Sequence, residues 1–160
     1  METSKRTCCF TGHRDVKKSE YERLATAICS MIDTLHTEGF TEYICGGALG
    51  FDTVAAVTVI NLKKLYPDIR LIIAKPCPEQ ASRWAEPDRA LYQRILDRAD
   101  EVVTVSPVYT RSCMLERNRY MVDRSEMLIA YVKRAEGGSA YTLRYAEKKG
   151  LDILNLADWF

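Results

Sequence analysis

Apolar positions along the chain alternate between two periods. Short, nearly continuous apolar runs fall at 6–10, 42–45, 70–74, 101–105, 127–132 and 152–156. Between them, apolar residues return every three or four positions, the spacing of a helix face. The first such stretch follows Ser19-x-x-Glu22, which predicts a capping box. It turns Tyr21, Leu24, Ala25, Ile28, Ile32 and Leu35 inward until Gly39 stops it. The second opens at Phe51 or Asp52, turns Ala55, Ala56, Val59, Ile60, Leu62 and Leu65 inward, and ends at Pro67. A third runs from Pro87, a residue suited to a first helical position, to Arg98. The fourth covers about 113–122. The fifth follows the turn Glu136-Gly-Gly-Ser139 and ends at Lys149, with Gly150 as its cap. Residues 157–160 read as a brief tail.

Strand and helix therefore alternate five times and a sixth strand closes the series. Such alternation predicts an α/β fold: a Rossmann-like, doubly wound parallel sheet in three α/β/α layers. Right-handed crossovers leave few topologies, and the expected strand order is 3-2-1-4-5-6. No linker, repeat or low-complexity tract interrupts the pattern, so 1–160 reads as one domain.

Composition narrows the function classes. The 160 residues carry 23 basic and 22 acidic side chains, a net charge of +1, which argues against a general field for nucleic acid or an anionic membrane. No apolar run is long enough to cross a bilayer. The polar start, Met1 to Arg6, leads into a strand rather than a signal peptide, so a cytoplasmic location is expected. Cys8, Cys9, Cys29, Cys45, Cys77 and Cys113 are scattered without CxxC spacing, which predicts reduced thiols and no zinc site.

Candidate chemistry collects at the strand ends. In open doubly wound sheets ligands bind outside the carboxyl ends of the strands, near the point where strand order reverses, here expected between strands one and four. Thr11, Gly12, His13 and Arg14 follow strand one. Gly46, Gly47, Ala48 and Gly50 follow strand two, with Asp52 just beyond. A bare glycine turn before a helix lets backbone N–H groups approach a phosphate. Gln80, Arg83 and Trp84 lie in the longer loop after strand three, and Ser106, Tyr109 and Arg111 in the loop after strand four. Gly137, Gly138 and Ser139 follow strand five, with Thr142 one turn on. Arg117 and Asn118 interrupt the apolar side of the fourth helix and call for a polar partner, a ligand or an internal salt bridge with Asp123. Glycines, hydroxyls, arginines and an aromatic at one edge suit a phosphorylated ligand with a flat base.

Each residue also has a structural reading. His13 can bond a phosphate or ribose, or contact only solvent or a helix end. Arg14 can clamp a phosphate or pair with Asp15 or Glu20. Asp52 can accept from ribose hydroxyls or cap its helix. Trp84 can stack on a base, plug the sheet edge or meet a second subunit. G-x-G-x-x-G is absent after strand one, which argues against a conventional dinucleotide dehydrogenase, and no Gly-Lys-Ser/Thr occurs, which excludes a P-loop ATPase.

Thr11-Gly-His-Arg14, Gly46-Gly-Ala-Leu-Gly-Phe-Asp52, Arg117-Asn-Arg-Tyr-Met-Val-Asp123 and Gly137-Gly-Ser-Ala-Tyr-Thr142 occur in that order. Together they resemble the YpsA-like branch of the SLOG superfamily, which joins the DNA-processing protein Smf/DprA with the LOG proteins. The resemblance covers almost the whole chain. It implies a Rossmann-like fold, a homo-oligomer and a site for nucleotides or nucleotide-derived ligands such as ADP-ribose species. It also implies that Gly46-Gly47 and Gly137-Gly138 are phosphate-side turns. LOG members cleave the base from a nucleoside monophosphate using P-G-G-x-G-T-x-x-E. Here Glu136 replaces the proline, Ala140 stands where a glycine is expected, and Arg144 and Tyr145 occupy the region of the catalytic glutamate.

The leading expectation is a nucleotide-ligand-binding sensor or regulator with no strong catalytic machinery and no certain cofactor beyond that nucleotide-derived ligand. The runner-up is an N-glycosidic hydrolase, with Asp52, Glu116 and Glu136 as available carboxylates. Single-stranded DNA binding is the third, and the balanced charge argues against it.

Overall fold

The computed structural model describes residues 5–159, so the polar start at 1–4 and the final residue lie outside it. β1 (Arg6–Gly12) leads to α1 (Tyr21–Thr37), β2 (Phe40–Cys45) to α2 (Phe51–Leu62), and β3 (Arg70–Lys75) to α3 (Glu86–Arg98). β4 (Glu101–Thr104) leads to α4 (Cys113–Asp123), β5 (Met127–Tyr131) to α5 (Gly138–Lys149), and β6 (Asp152–Asn155) closes the sheet. Single 3-10 turns stand at Lys18–Glu20 and at Leu156–Trp159, where the sequence suggested only a tail.

All six strands pair in parallel, and helices cover both faces, the α/β fold expected. One strand sits elsewhere than expected. The order is β4-β3-β2-β1-β5-β6, so β4 lies outside β3 instead of beside β1. The physical reason is burial. A central strand is covered on both faces, as Leu71–Ala74 of β3 and Leu128–Tyr131 of β5 are, and reads as an apolar run. β4 has four residues, and three of them, including Val102, are exposed. Its Glu101 carboxylate lies 3.5 Å from the Arg70 guanidinium of β3. The strand order therefore reverses between β1 and β5, and the crevice expected at that reversal moves with it.

The sheet carries two cores. On one face Phe10, Tyr43 and Phe51 pack with Leu24, Ile28, Ile32 and Leu35 of α1. On the other, Cys9, Ile44 and Leu128 pack with Met121 and Val122 of α4 and Ala140 and Ala146 of α5. α2 is apolar nearly all round because it lies between α1 and α3 and over the sheet. It ends at Leu62, before Pro67, which leaves Leu65 off the buried face and 66% exposed. The Ser19-x-x-Glu22 box does not form. Glu20 accepts from the Lys17 backbone N–H at 3.3 Å, and its carboxylate also meets the Tyr131 hydroxyl at 2.6 Å and the Lys133 ammonium at 3.3 Å. All six cysteines carry free thiols, and burial pushes the Cys9 thiol up to about 12. No helix of the described residues is long and apolar enough to cross a membrane.

Candidate functional site

The carboxyl ends of β1 and β5 open onto a cleft of about 390 Å³, walled by the first turns of α2, α4 and α5. Thirteen of the residues singled out at the strand ends line it. They are Thr11, Gly12, His13 and Arg14 from the end of β1, Ala48 and Asp52 beside β2, and Gln80 and Trp84 after β3. Arg117 and Asn118 come from α4, and Gly137, Gly138 and Ser139 from the start of α5. Gly46, Gly47, Gly50 and Thr142 are not in its wall. Glu136, named above as an available carboxylate, and Asp15, named as a partner for Arg14, also line it, as do Phe10, Met114 and Arg134, which nothing in their local pattern marked as site residues.

The N-terminus of α5 forms one side. Gly137 precedes it at φ 99°, no side chain caps it, and a Cβ on Gly137 or Gly138 would meet nothing within 4 Å. The first N–H groups of a helix have no partner inside it and carry partial positive charge. The loop before α5 is pinned at both ends. Asn155 clasps Val132, accepting its N–H and donating to its carbonyl, both at 3.0 Å, and Arg144 donates to the Ala135 carbonyl at 2.9 Å. The Thr142 hydroxyl donates back to Gly138 at 2.8 Å and so belongs to the helix. Arg134 is held by Asp15 in two bonds, at 3.0 and 3.2 Å. Arg14 is exposed, and neither Asp15 nor Glu20 takes it; among the described residues it has no ion-pair partner.

The glycine turn after β2 is occupied by the protein itself. The Gly46 carbonyl accepts from Arg117 Nη1 at 2.6 Å and from Gln80 Nε2 at 3.2 Å. A Cβ on Gly46 would lie 2.6 Å from Arg117 Nη1, so glycine is needed there for the arginine to approach. Gly50, at φ 78°, lets the turn pass the carbonyls of His13 and Arg14, and His13 accepts the Phe51 N–H at 3.1 Å. Arg117 also reaches the Ala74 carbonyl at 3.2 Å and the Asn118 side chain at 2.8 Å. It is 4% exposed, and burial lowers its guanidinium from the usual value. Gln80 accepts the Tyr92 hydroxyl at 2.9 Å, so both ends of its amide are bonded within the protein. These bonds within the protein brace the floor of the cleft that Arg117, Asn118 and Gln80 line. The Asn118 amide nitrogen keeps its donors free of any bond among the described residues.

Asp52 is not the cap of α2. Gly50 is the N-cap, and the Asp52 carboxylate reaches back to the Ala48 N–H at 3.1 Å through Oδ2. Its Oδ1 is buried and has no partner among the described residues, although Asp52 lines the cleft and is only 6% exposed. Burial raises this carboxyl from 3.8 to about 6, against the lowering pull of Arg117, the Ala48 N–H and Arg14. His13, also 6% exposed, accepts the Lys133 backbone N–H at Nε2, 2.7 Å away. Burial, then the Arg134 charge, lowers its ring below 6.5. A neutral ring that accepts at Nε2 carries its proton on Nδ1. Trp84 meets Tyr92 edge-on, with centroids 5.2 Å apart, and stands half-buried at the outer rim.

The cleft thus brings together the start of α5, Arg14 and Asp52, whose buried Oδ1 lacks a donor among the described residues. A family model described as the YspA SLOG family (YpsA) matches residues 8–153. The uncharacterized SPbeta prophage-derived protein YoqJ of Bacillus subtilis (strain 168) is 34% identical over 139 residues, 79% of this chain and 81% of that one. The UPF0398 protein YpsA of the same strain is 30% identical over 115 residues, 70% of this chain and 64% of that one. Among solved structures, DNA processing protein A from Helicobacter pylori is similar with a TM-score of 0.67 at 18% identity, over 92% of this chain and 63% of its own. Its counterpart from Streptococcus pneumoniae gives 0.68 at 17% identity, over 93% of this chain and 49% of its own. The chain spans less than two thirds of either DNA-processing protein, and the likeness to them is one of fold. The match over 8–153, with the identity to YoqJ, places this chain in the YspA SLOG family.

Proposed function

We propose that this protein binds a nucleotide or a nucleotide-derived ligand, of the ADP-ribose kind, at the carboxyl edge of its sheet and acts as a sensor or regulator. The observation that carries the proposal is Asp52, a residue of the cleft wall whose buried Oδ1 has no partner among the described residues, in a cleft that the uncapped start of α5 also lines. A buried carboxylate oxygen without a donor is costly, and a sugar hydroxyl supplies the missing bond. The α5 N-terminus and the unpaired Arg14 suit the phosphate of the same sugar. A sugar phosphate satisfies both sides at once, and the Trp84 rim suits an attached base. Arg117 and Gln80 hold the floor rigid by bonding the Gly46 carbonyl, so little ordering is required on binding.

Isothermal calorimetry with ADP-ribose, NAD and nucleoside monophosphates tests this reading. Saturable binding of at least one supports it, and no heat from any of them at millimolar concentration overturns it.

One observation favours a second reading. A carboxyl held at about 6 is placed to exchange a proton near neutral pH, and Asp52 has that property inside the cleft. In that reading Asp52 is the base of an N-glycosidic hydrolase. Release of free base from a nucleotide is its test, and a broad panel of nucleotides left intact removes it. Single-stranded DNA binding, the mode named for the Helicobacter pylori protein, gains no such support. The cleft sets Arg14, Arg117 and Arg134 against Asp15, Asp52 and Glu136, without the basic excess that tracks a polyphosphate backbone.

A further inference from the structure

A second cleft, of about 500 Å³, adjoins the first. The two share Gln80, Trp84 and Met114, which form the ridge between them. Two of the three are fixed: Gln80 by its bonds to Gly46 and Tyr92, and Met114 by the Arg117 guanidinium, 3.8 Å from its sulfur.

The second cleft lies between the two longest loops of the chain. Cys77 to Trp84 supply one wall and Tyr109 the other. The loops are joined at their bases, where Val105 and Ser106 donate backbone N–H bonds to the carbonyls of Lys75 and Pro76 at 2.9 and 3.1 Å. The Ser106 hydroxyl closes the turn that carries Tyr109 by donating to Val108 at 2.6 Å. Tyr109 is nonetheless 67% exposed, an aromatic ring with little covering it. Glu79 and Arg83 are exposed on the same wall and offer an acceptor and donors at its edge.

Resting on the nucleotide reading above, we propose that the ligand straddles the ridge. Its phosphates and distal sugar occupy the first cleft at α5 and Asp52, and its nucleobase occupies the second, against Trp84 and Tyr109. The ligand class is then a nucleoside diphosphate substituted on its terminal phosphate by a sugar, not a mononucleotide. The division follows from the chemistry of the two walls. The first cleft offers charge and hydrogen-bonding groups, which suit phosphate and sugar. Trp84 lines both clefts, whereas Tyr109, 67% exposed, lines only the second, which therefore has two aromatic rings, and every base has a face that stacks on such rings.

The test uses the full chain with Trp159→Phe, which removes the other tryptophan, itself 50% exposed and far along the chain in the last 3-10 turn. Fluorescence of Trp84 is followed with calorimetry during titration with ADP-ribose, AMP and ribose 5-phosphate. The expected result is quenching by ADP-ribose, with affinity about tenfold or more above that for ribose 5-phosphate or AMP. Tyr109→Ala, at an exposed position that does not threaten folding, then reduces that preference by about tenfold. ADP-ribose binding no tighter than ribose 5-phosphate, or a preference that survives Tyr109→Ala, overturns the two-cleft arrangement and leaves the first cleft as a sugar-phosphate site. No heat with any of the three overturns both readings. A single-stranded oligonucleotide that binds more tightly than ADP-ribose and displaces it also overturns the proposal, in favour of a nucleic-acid groove.

Discussion

The His13 imidazole accepts the backbone N–H of Lys133 at 2.7 Å and so ties the loop after β1 to the loop after β5, across the reversal in strand order. The bond requires an unprotonated Nε2, and burial with the Arg134 charge keeps the ring below its ordinary 6.5. A folded value below the unfolded one contributes stability that is present above the unfolded value and lost as pH falls through the folded one. His13→Ala leaves the Lys133 N–H without its acceptor, and we expect a loss of about 1–2 kcal/mol in unfolding free energy at neutral pH. Ring NMR should give a His13 midpoint below 6.5, with the neutral form protonated at Nδ1. A midpoint at or above that value contradicts this account of the bond.

Asp52 has the opposite sign. Its carboxyl is raised from 3.8 to about 6, so it contributes stability that is complete below the unfolded value and lost as pH rises through the folded one. Between those values the native protein should lose on the order of 2–3 kcal/mol from this group. Asp52→Asn removes that slope, and its amide still offers an acceptor to the Ala48 N–H. Chemical denaturation of both proteins from acid to neutral pH is the measurement. The variant should be about 1–2 kcal/mol more stable than the parent at neutral pH and should bind ligand more weakly, because a neutral amide is a poorer acceptor for a sugar hydroxyl. Parallel stability curves would remove the charge argument.

Two glycines are needed for close approach and not for turn geometry. A Cβ on Gly12 would lie 2.4 Å from the Phe51 ring, and one on Gly46 would lie 2.6 Å from Arg117 Nη1. Gly12→Ala and Gly46→Ala should each cost about 1–3 kcal/mol by overpacking. Gly138→Ala, where the added carbon meets nothing within 4 Å, should change stability little. Thermal unfolding of the three variants checks the order.

Arg14 is exposed and unpaired among the described residues, so its removal should leave stability within about 0.5 kcal/mol. The same change should weaken binding of a phosphorylated ligand by about tenfold, since one charge-assisted bond contributes roughly 1.5–3 kcal/mol. Calorimetry on Arg14→Ala, with its unfolding curve alongside, separates the two effects.

Much of this was legible in the sequence, and the exceptions have physical causes. Alternating periods marked every strand and helix, because apolar runs and helical faces are dictated by burial. The place of β4 was not marked, since strand–helix alternation does not say on which side a strand adds. The exposed Val102 and the Glu101–Arg70 contact at 3.5 Å are features of an edge. The strand-end rule gathered thirteen of the cleft residues, yet it could not show which of them also bond within the protein. Arg117 and Gln80 are polar groups in a pocket wall whose bonds go to the Gly46 carbonyl, a partner 71 residues away for the arginine and 34 for the glutamine. Asp52 carried the signature of a helix cap, but Gly50 takes that position and frees one carboxylate oxygen. Asn155, which clasps Val132 and fixes the loop before α5, has no motif to announce it.

The central claim is that Asp52 Oδ1 and the start of α5 hold two parts of one phosphorylated sugar ligand. A crystal structure of the protein grown with ADP-ribose tests it most directly. The account predicts phosphate oxygens at the N–H groups of Gly138 and Ser139 and a sugar hydroxyl within hydrogen-bonding distance of Asp52 Oδ1. Ligand density elsewhere on the surface, with Asp52 Oδ1 still unpartnered and the α5 terminus bare, would contradict it.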